Sequence, residues 1–174
     1  ALYLVGIADD LIGVRYRAKF IVQILCGILL VGAGIWVRGF YGFLGLNYLN
    51  IWIGGILAVV LIVFITNAIN LIDGIDGLAS GLSAVACLYY GLVFFQLKYY
   101  TFALIAFVVL GVIVPFFYYN VFGNAEKQKK IFMGDTGALT IGVVLSLLSI
   151  KLTTISINGV MWSYNPLVVA FAPL

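Results

Sequence analysis

Residues 67–81 read NAINLIDGIDGLASG, a polar and glycine-rich stretch that interrupts an otherwise apolar part of the chain. The sixteen residues on either side, 51–66 and 82–97, contain no charged side chain. Two aspartates at such a boundary mark either the end of a membrane-spanning helix or a site placed at that end.

The spacing of the polar residues in this stretch favours a site. If the helix continues, Asp73 and Asp76 are three residues apart and share a face, and Asn67 and Asn70 extend the same spacing. The neighbouring glycines let another backbone or a ligand come close. A loop with ordinary helix caps is the alternative, and the shared spacing argues against it.

The composition places the chain in a lipid bilayer. Of its 174 residues, 65% are hydrophobic and 9% are charged, whereas soluble domains carry about 25% charged residues. Backbone polar groups inside a bilayer must be satisfied internally, so helices or closed barrels span it. The apolar runs are continuous rather than alternating, which predicts an all-α, polytopic transmembrane helix bundle. No nucleic-acid partner is expected.

The apolar runs predict about five complete spans and a partial span at each end. The chain opens on the end of a span, and the last span begins near Pro166. Residues 1–174 are therefore expected to form a single integral-membrane domain that is the central part of a larger bundle. The predicted spans cover residues 1–8, 20–37, 51–66, 78–97, 100–118 and 138–152.

Counting crossings puts every acidic residue on one side of the membrane. The same side carries six of the nine lysine and arginine residues, and by the positive-inside rule it is the cytoplasmic side. The chain is therefore predicted to be a multi-pass membrane protein whose acidic face lies in the cytoplasm. The acidic residues are Asp9, Asp10, Asp73, Asp76, Glu126 and Asp135.

The motif GIADDLIG places two adjacent carboxylates, Asp9 and Asp10, at the end of a span. Paired carboxylates can ligate a divalent metal, or one can act as a base whose pKa the other shifts. A solvated helix end is the alternative. Lys19 follows at the start of the next span, where it can pair with a phosphate or simply anchor the helix at the interface.

The motif KKIFMGDTGAL places Lys130, Phe132 and Asp135 just before another span. A helix start favours anions such as phosphate, and an aromatic ring beside it can stack on a base. An interfacial anchor with Asp135 as a helix cap is the alternative. Carboxylates near lysines on one face together suggest Mg²⁺ and a phosphorylated substrate.

The paired aspartates, the stretch NAINLIDGIDGLASG and the motif IFMGDTGAL together resemble those of the polyprenyl-phosphate N-acetylhexosamine-1-phosphate transferases, bacterial glycosyltransferase family 4. The resemblance implies transfer of a sugar phosphate from a UDP-N-acetylhexosamine to undecaprenyl phosphate in the bacterial inner membrane, with release of UMP. It implies Mg²⁺, with Mn²⁺ as an alternative, and is compatible with a homodimer. It also implies catalytic roles for Asp9, Asp10 and Lys19, metal binding by Asp135 and Asp10, and substrate binding by Asn70, Asp73, Asp76, Asn120, Lys130 and Phe132.

The stretch DDLIGVRYRAK is short for the branch of this family that uses UDP-MurNAc-pentapeptide, which favours UDP-GlcNAc. The peptidoglycan branch is the alternative, and a transporter or a non-catalytic membrane protein on the same scaffold is the rival class. Members of this family also carry a histidine-rich motif in a late cytoplasmic loop, and this sequence contains no histidine. The 174 residues alone are therefore expected to be inactive.

Overall fold

A computed structural model describes residues 2–39, 48–124, 129–155 and 173. In these ranges all the regular structure is helical, which confirms the predicted all-α bundle. The six helices are α1 (Leu2–Ile12), α2 (Tyr16–Gly32), α3 (Ile51–Ile72), α4 (Leu78–Gln96), α5 (Tyr100–Phe122) and α6 (Gly134–Thr154).

Four of these helices, α3 to α6, are long and apolar enough to cross a membrane. Helix α2 has 17 residues, and it ends at Gly32 rather than at the predicted Val37. The chain stops being helical there because Gly34 adopts a positive φ of 84°, a conformation that no α-helix contains. The predicted span that begins near Pro166 lies outside the described residues.

Helix α3 runs to Ile72, beyond the predicted end at residue 66, so Asn67 and Asn70 are helical as their spacing indicated. Asp73 caps the helix, and a turn follows in which Gly77 has a φ of 76°. Asp76 therefore lies in a turn and not on the helical stripe. The prediction that Asp73 and Asp76 share a helix face was wrong, because α3 ends at Ile72, before both residues.

Helix α6 is the central element of the bundle, since α1, α3 and α4 all pack against it. Helix α2 packs on α3, and α4 packs on α5. Small residues permit the closest approaches, as is usual between membrane helices. A Cβ added at Gly142 of α6 would lie 2.6 Å from Thr66 Cα of α3, and one added at Gly6 of α1 would collide with the backbone of Thr136. These contacts bring the ends of α1 and α3 to the N-terminus of α6.

Candidate functional site

The site is built around the N-terminus of α6, where Asp10 of α1 supplies the cap. The Asp10 carboxylate accepts hydrogen bonds from Asp135 N at 2.9 Å, Thr136 N at 3.1 Å and Thr136 Oγ1 at 2.5 Å. A negative charge at this end of a helix also interacts favourably with the helix dipole. Asp10 therefore satisfies the first donors of α6 from a different helix, 125 residues away in the chain.

Gly134 makes this approach possible. It has a φ of 64°, and a Cβ added to it would lie 3.0 Å from Asp10 Oδ2. Both the backbone conformation and the space favour glycine at this position.

The Asp135 side chain is held by two other helices. Asn70 of α3 donates a hydrogen bond to Asp135 Oδ1, and Lys19 Nζ of α2 lies 3.2 Å from Asp135 Oδ2. Lys19 also forms an ion pair with Asp9 of α1. Residues from all three predicted motifs, together with Lys19, thus meet at one end of the bundle. The carboxylates outnumber the single lysine there, so the junction has an excess of negative charge.

The two adjacent aspartates are both held ionised. A hydrogen bond with Asp135 lowers the pKa of Asp9 to about 2 despite the opposing effect of burial, and bonds from Lys19 and from Val14 N, at 2.6 Å, act in the same direction. The side-chain and backbone hydrogen bonds from Thr136 lower the pKa of Asp10, again against burial. At neutral pH both groups therefore carry negative charge.

Asp73 has the opposite electrostatic environment. Burial, and then the negative charges of Asp135 and Asp10, raise the pKa of Asp73 to about 6. A carboxyl group with a raised pKa beside carboxylates with lowered ones is an arrangement typical of acid–base sites.

A second part of the site joins the turn after α3 to the segment before α6. Asn120 of α5 accepts a hydrogen bond from Gly77 N at 2.6 Å and donates one to Ile131 O at 2.8 Å. Lys130 Nζ lies 2.5 Å from Asp76 Oδ2 across the same gap. Asn120 is only 6% exposed, so in this structure its amide bridges backbone groups. A role for it in substrate binding stays a prediction.

Phe132 is the exposed aromatic residue of this part, with 74% of its surface accessible. Lys130 Nζ lies 5.7 Å from its ring centroid, a distance compatible with a cation–π interaction. The ring is therefore accessible, and its stacking on a base stays a prediction.

Two features of the site were not predicted from the sequence. Thr136 donates its hydroxyl to Asp10, which joins the start of α6 to α1. Gln23 and Asn67 form an amide pair between α2 and α3. The available signal was the presence of amide residues inside two apolar helices, Gln23 in α2 and Asn67 and Asn70 in α3, and it does not identify which of them pair.

The carboxylates fit a divalent cation only in combination with other ligands. In the described parts of the chain, no three histidine, cysteine, aspartate or glutamate side chains converge as a metal site. Mg²⁺ commonly takes one or two protein carboxylates and completes its shell with water and substrate phosphates. Asp10 Oδ2 already accepts two hydrogen bonds, whereas Asp10 Oδ1 accepts one and keeps a lone pair. Asp10 Oδ1 and the neighbouring Asp135 carboxylate therefore suit such a shared site.

Helices long and apolar enough to span a membrane, with a cluster of charged residues at one end of their bundle, are typical of a membrane protein. The family model described as glycosyl transferase family 4 matches residues 1–153. The chain therefore belongs to this family, which confirms the resemblance seen in the motifs.

Curated relatives carry the name phospho-N-acetylmuramoyl-pentapeptide-transferase. The Enterococcus hirae protein is 36% identical over 163 residues, which cover 87% of this chain and 49% of the relative. The protein from Streptococcus equi subsp. zooepidemicus is 30% identical over 181 residues, covering 91% of this chain and 50% of the relative. The protein from Rubrobacter xylanophilus is 39% identical over 77 residues, 44% of this chain and 22% of the relative. The chain thus spans about half the length of the first two.

Proposed function

We propose that the protein containing this chain transfers a phospho-N-acetylhexosamine from a UDP-sugar to undecaprenyl phosphate, releasing UMP, at the cytoplasmic face of a bacterial inner membrane. One observation carries the proposal. Asp10, Lys19, Asn70 and Asp135 come from four different helices and converge at the N-terminus of α6, and a lysine beside neighbouring carboxylates suits a phosphate that shares a divalent cation with them.

For the sugar, the names of the relatives favour phospho-N-acetylmuramoyl-pentapeptide over the UDP-GlcNAc predicted from the sequence. We therefore take UDP-MurNAc-pentapeptide as the first candidate donor. GlcNAc-1-phosphate transfer is the second candidate because the stretch between the paired aspartates and Lys19 is short.

The nucleotide would occupy the side of the site formed by α3, α4 and the segment before α6. Phe132 is exposed and could stack on uracil. Asn70, Asp73, Asp76 and Lys130 would supply polar groups for the ribose and the phosphates. The pairing of Lys130 with Asp76 would then open when the nucleotide enters, since Lys130 Nζ also lies 5.7 Å from the centroid of the Phe132 ring.

The lipid acceptor would approach from the other side, along the surface between α2 and α3. A cavity of about 650 Å³ there begins at Phe20 and Leu71 and is lined almost entirely by apolar side chains. A second cavity, of about 450 Å³, shares Ile24, Val59 and Val60 with the first and extends to Ile51 at the other end of α3. The continuous apolar groove suits a polyprenyl chain whose phosphate lies next to Lys19, the neighbour of Phe20.

The chemistry requires two anions to meet, and the residues of this site would reduce their repulsion. Lys19 provides a positive charge next to Asp135. When bound by Asp135 and Asp10, Mg²⁺ would neutralise charge on the diphosphate. Attack of the lipid phosphate oxygen on the β-phosphorus would form the new diphosphate bond as the bond to UMP breaks. Asp9 and Asp10 both remain candidates for the base that takes the proton of the lipid phosphate, and positioning would supply much of the rate.

The test uses the complete open reading frame that contains this chain, because the chain alone corresponds to about half of its relatives. UMP release is measured with undecaprenyl phosphate and, separately, UDP-MurNAc-pentapeptide or UDP-GlcNAc. The variant Asp135→Asn is compared with Glu126→Gln, which changes the acidic residue outside the three motifs.

We expect the wild type to release UMP with one of the two donors. Asp135→Asn should lower the rate of UMP release by at least about a hundredfold, as other removals of a transition-state charge partner do, and Glu126→Gln should release UMP at nearly the wild-type rate. The productive donor decides between the two candidates. A folded wild-type protein that releases UMP from neither donor would refute the proposal and favour a transporter or a non-catalytic protein.

A further inference from the structure

Gln23 is a fully buried amide residue within the apolar helix α2. Asn67 of α3 donates a hydrogen bond from Nδ2 to Gln23 Oε1 at 2.6 Å, and Gln23 Nε2 lies 3.5 Å from Asn67 Oδ1. Asn67 Nδ2 also donates to Val63 O at 2.7 Å. The two side chains thus form an interhelical pair, which we call the amide pair.

The amide pair lies one helical turn from both residues that hold Asp135. Lys19 precedes Gln23 by four residues on α2, and Asn70 follows Asn67 by three residues on α3, so each shares a helix face with its neighbour. Lys19 contacts Asp135 Oδ2 and Asn70 contacts Asp135 Oδ1. The amide pair and the Asp135 carboxylate therefore join α2 and α3 at two successive levels.

The other close contacts described between α2 and α3 are apolar and therefore less directional than the amide pair. On the other side of the amide pair, Gly27 packs on Val59, where an added Cβ would lie 3.2 Å from both methyl groups. Apolar contacts of this kind tolerate rotation and sliding because dispersion has little directionality. A hydrogen bond between amides is directional, and inside a bilayer water does not compete for it.

We propose that Gln23 and Asn67 are positioning residues, and that their amide pair sets the rotation and axial position of α2 on α3 so that Lys19 reaches Asp135. The kinetic consequence rests on the proposed function, whereas the placement of Lys19 does not. The two parts can therefore be tested separately.

The placement is tested by acetylating the complete protein in detergent with acetic anhydride and quantifying each modified lysine by mass spectrometry. Lys129, which is exposed, serves as the internal reference. We expect Gln23→Leu to raise the labelling of Lys19 by about three- to tenfold, the ratio that corresponds to one interhelical hydrogen bond in a membrane.

Two further variants make the result specific. Tyr90→Phe removes a buried hydrogen bond of 2.6 Å between α4 and Ser149 of α6, away from the α2–α3 interface, and should leave Lys19 labelling unchanged. The exchange Gln23→Asn with Asn67→Gln preserves the summed length of the pair and should return Lys19 labelling towards the wild-type value. Unchanged labelling in Gln23→Leu, an equal increase in Tyr90→Phe, or no recovery in the exchanged pair would each overturn the proposal.

The kinetic part compares UMP release by the same variants. We expect Gln23→Leu to lower kcat by a similar factor, with the KM for the UDP-sugar little changed, since the proposed nucleotide residues lie at the end of α3, in the turn after it and in the segment before α6, and none lies on α2. Recovery of kcat in the exchanged pair would support the proposal, and loss of UDP-sugar affinity alone would contradict it. Absence of UMP release in the wild type would refute the proposed function, and the labelling would still decide the role of the amide pair.

Discussion

Replacing Asp10 by alanine should loosen the start of α6 as well as alter any chemistry at the site. Asp10 accepts three hydrogen bonds from Asp135 and Thr136. Removal of a capping side chain costs about 1 kcal/mol, with a range of roughly 0.5–2. Loss of a negative charge at a helix N-terminus costs a further amount of about 0.3–1 kcal/mol. Together the expected local destabilisation is about 2 kcal/mol.

Hydrogen exchange of the backbone amides measures this local effect directly. A loss of about 2 kcal/mol corresponds to exchange about thirtyfold faster at Asp135 and Thr136, with little change at Leu145 in the middle of α6. Asp10→Asn keeps an acceptor oxygen and loses the charge, so its effect should be about half as large in free energy. Unfolding of the complete protein by heat should follow the same order.

The matched control is Asp76→Ala, which removes a carboxylate paired with Lys130 and not with α6. It should leave exchange at Thr136 within about twofold of wild type, the scale of surface ion pairs. If Asp10→Ala exchanges no faster than this control at Thr136, the capping of α6 by Asp10 does not contribute to stability and the reasoning is refuted.

Three further predictions concern other residues of the site. Gly134→Ala should destabilise the protein by about 1–2 kcal/mol, because its φ is positive, and heat unfolding measures this loss. The control is Gly111→Ala, which should not lose stability because a Cβ added there meets nothing within 4 Å. Asn120→Ala should leave the backbone N–H of Gly77 without its acceptor, at a cost of about 1–3 kcal/mol, and proteolysis before α6 should become faster. Equal proteolysis rates in the variant and the wild type would show that the Asn120 bridge does not hold this segment. The pKa of Asp73 is raised to about 6, so the folded state holds the proton of this carboxyl group more tightly than the unfolded state does. The stability of the metal-free protein should therefore fall as the pH rises from about 4 to 6. Asp73→Asn should remove this pH dependence.

The sequence predicts the helices well because their signal is local. Long uncharged runs indicate membrane helices without knowledge of their neighbours, and α3 to α6 lie where those runs lie. The boundaries are less well predicted, because they depend on contacts that a run of letters does not show. Helix α3 extends past residue 66 since the amides of Asn67 and Asn70 find partners on α2 and α6.

The composition of the site was predicted, and its internal pairing was not. Three motifs with carboxylates on one side of the membrane indicated a common site, and Asp10, Asn70 and Asp135 do meet there. The sequence could not separate a carboxylate that caps a helix from one that is free for a ligand, because both are aspartates beside glycines. That distinction depends on the close packing of α1 on α6 at Gly6, which is a contact between distant parts of the chain.

If the groove between α2 and α3 holds the lipid acceptor, as proposed, it has a consequence for how the rate depends on concentration. Its wall includes Phe64, Val60 and Leu71, all largely exposed, so it opens on the outer surface of the bundle, which lipid would cover in a membrane. An acceptor entering there would arrive by diffusion within the bilayer, and its effective concentration would be its mole fraction among the surrounding lipids. Adding inert lipid or detergent at a fixed amount of acceptor should therefore slow the reaction, although nothing in the aqueous phase has changed.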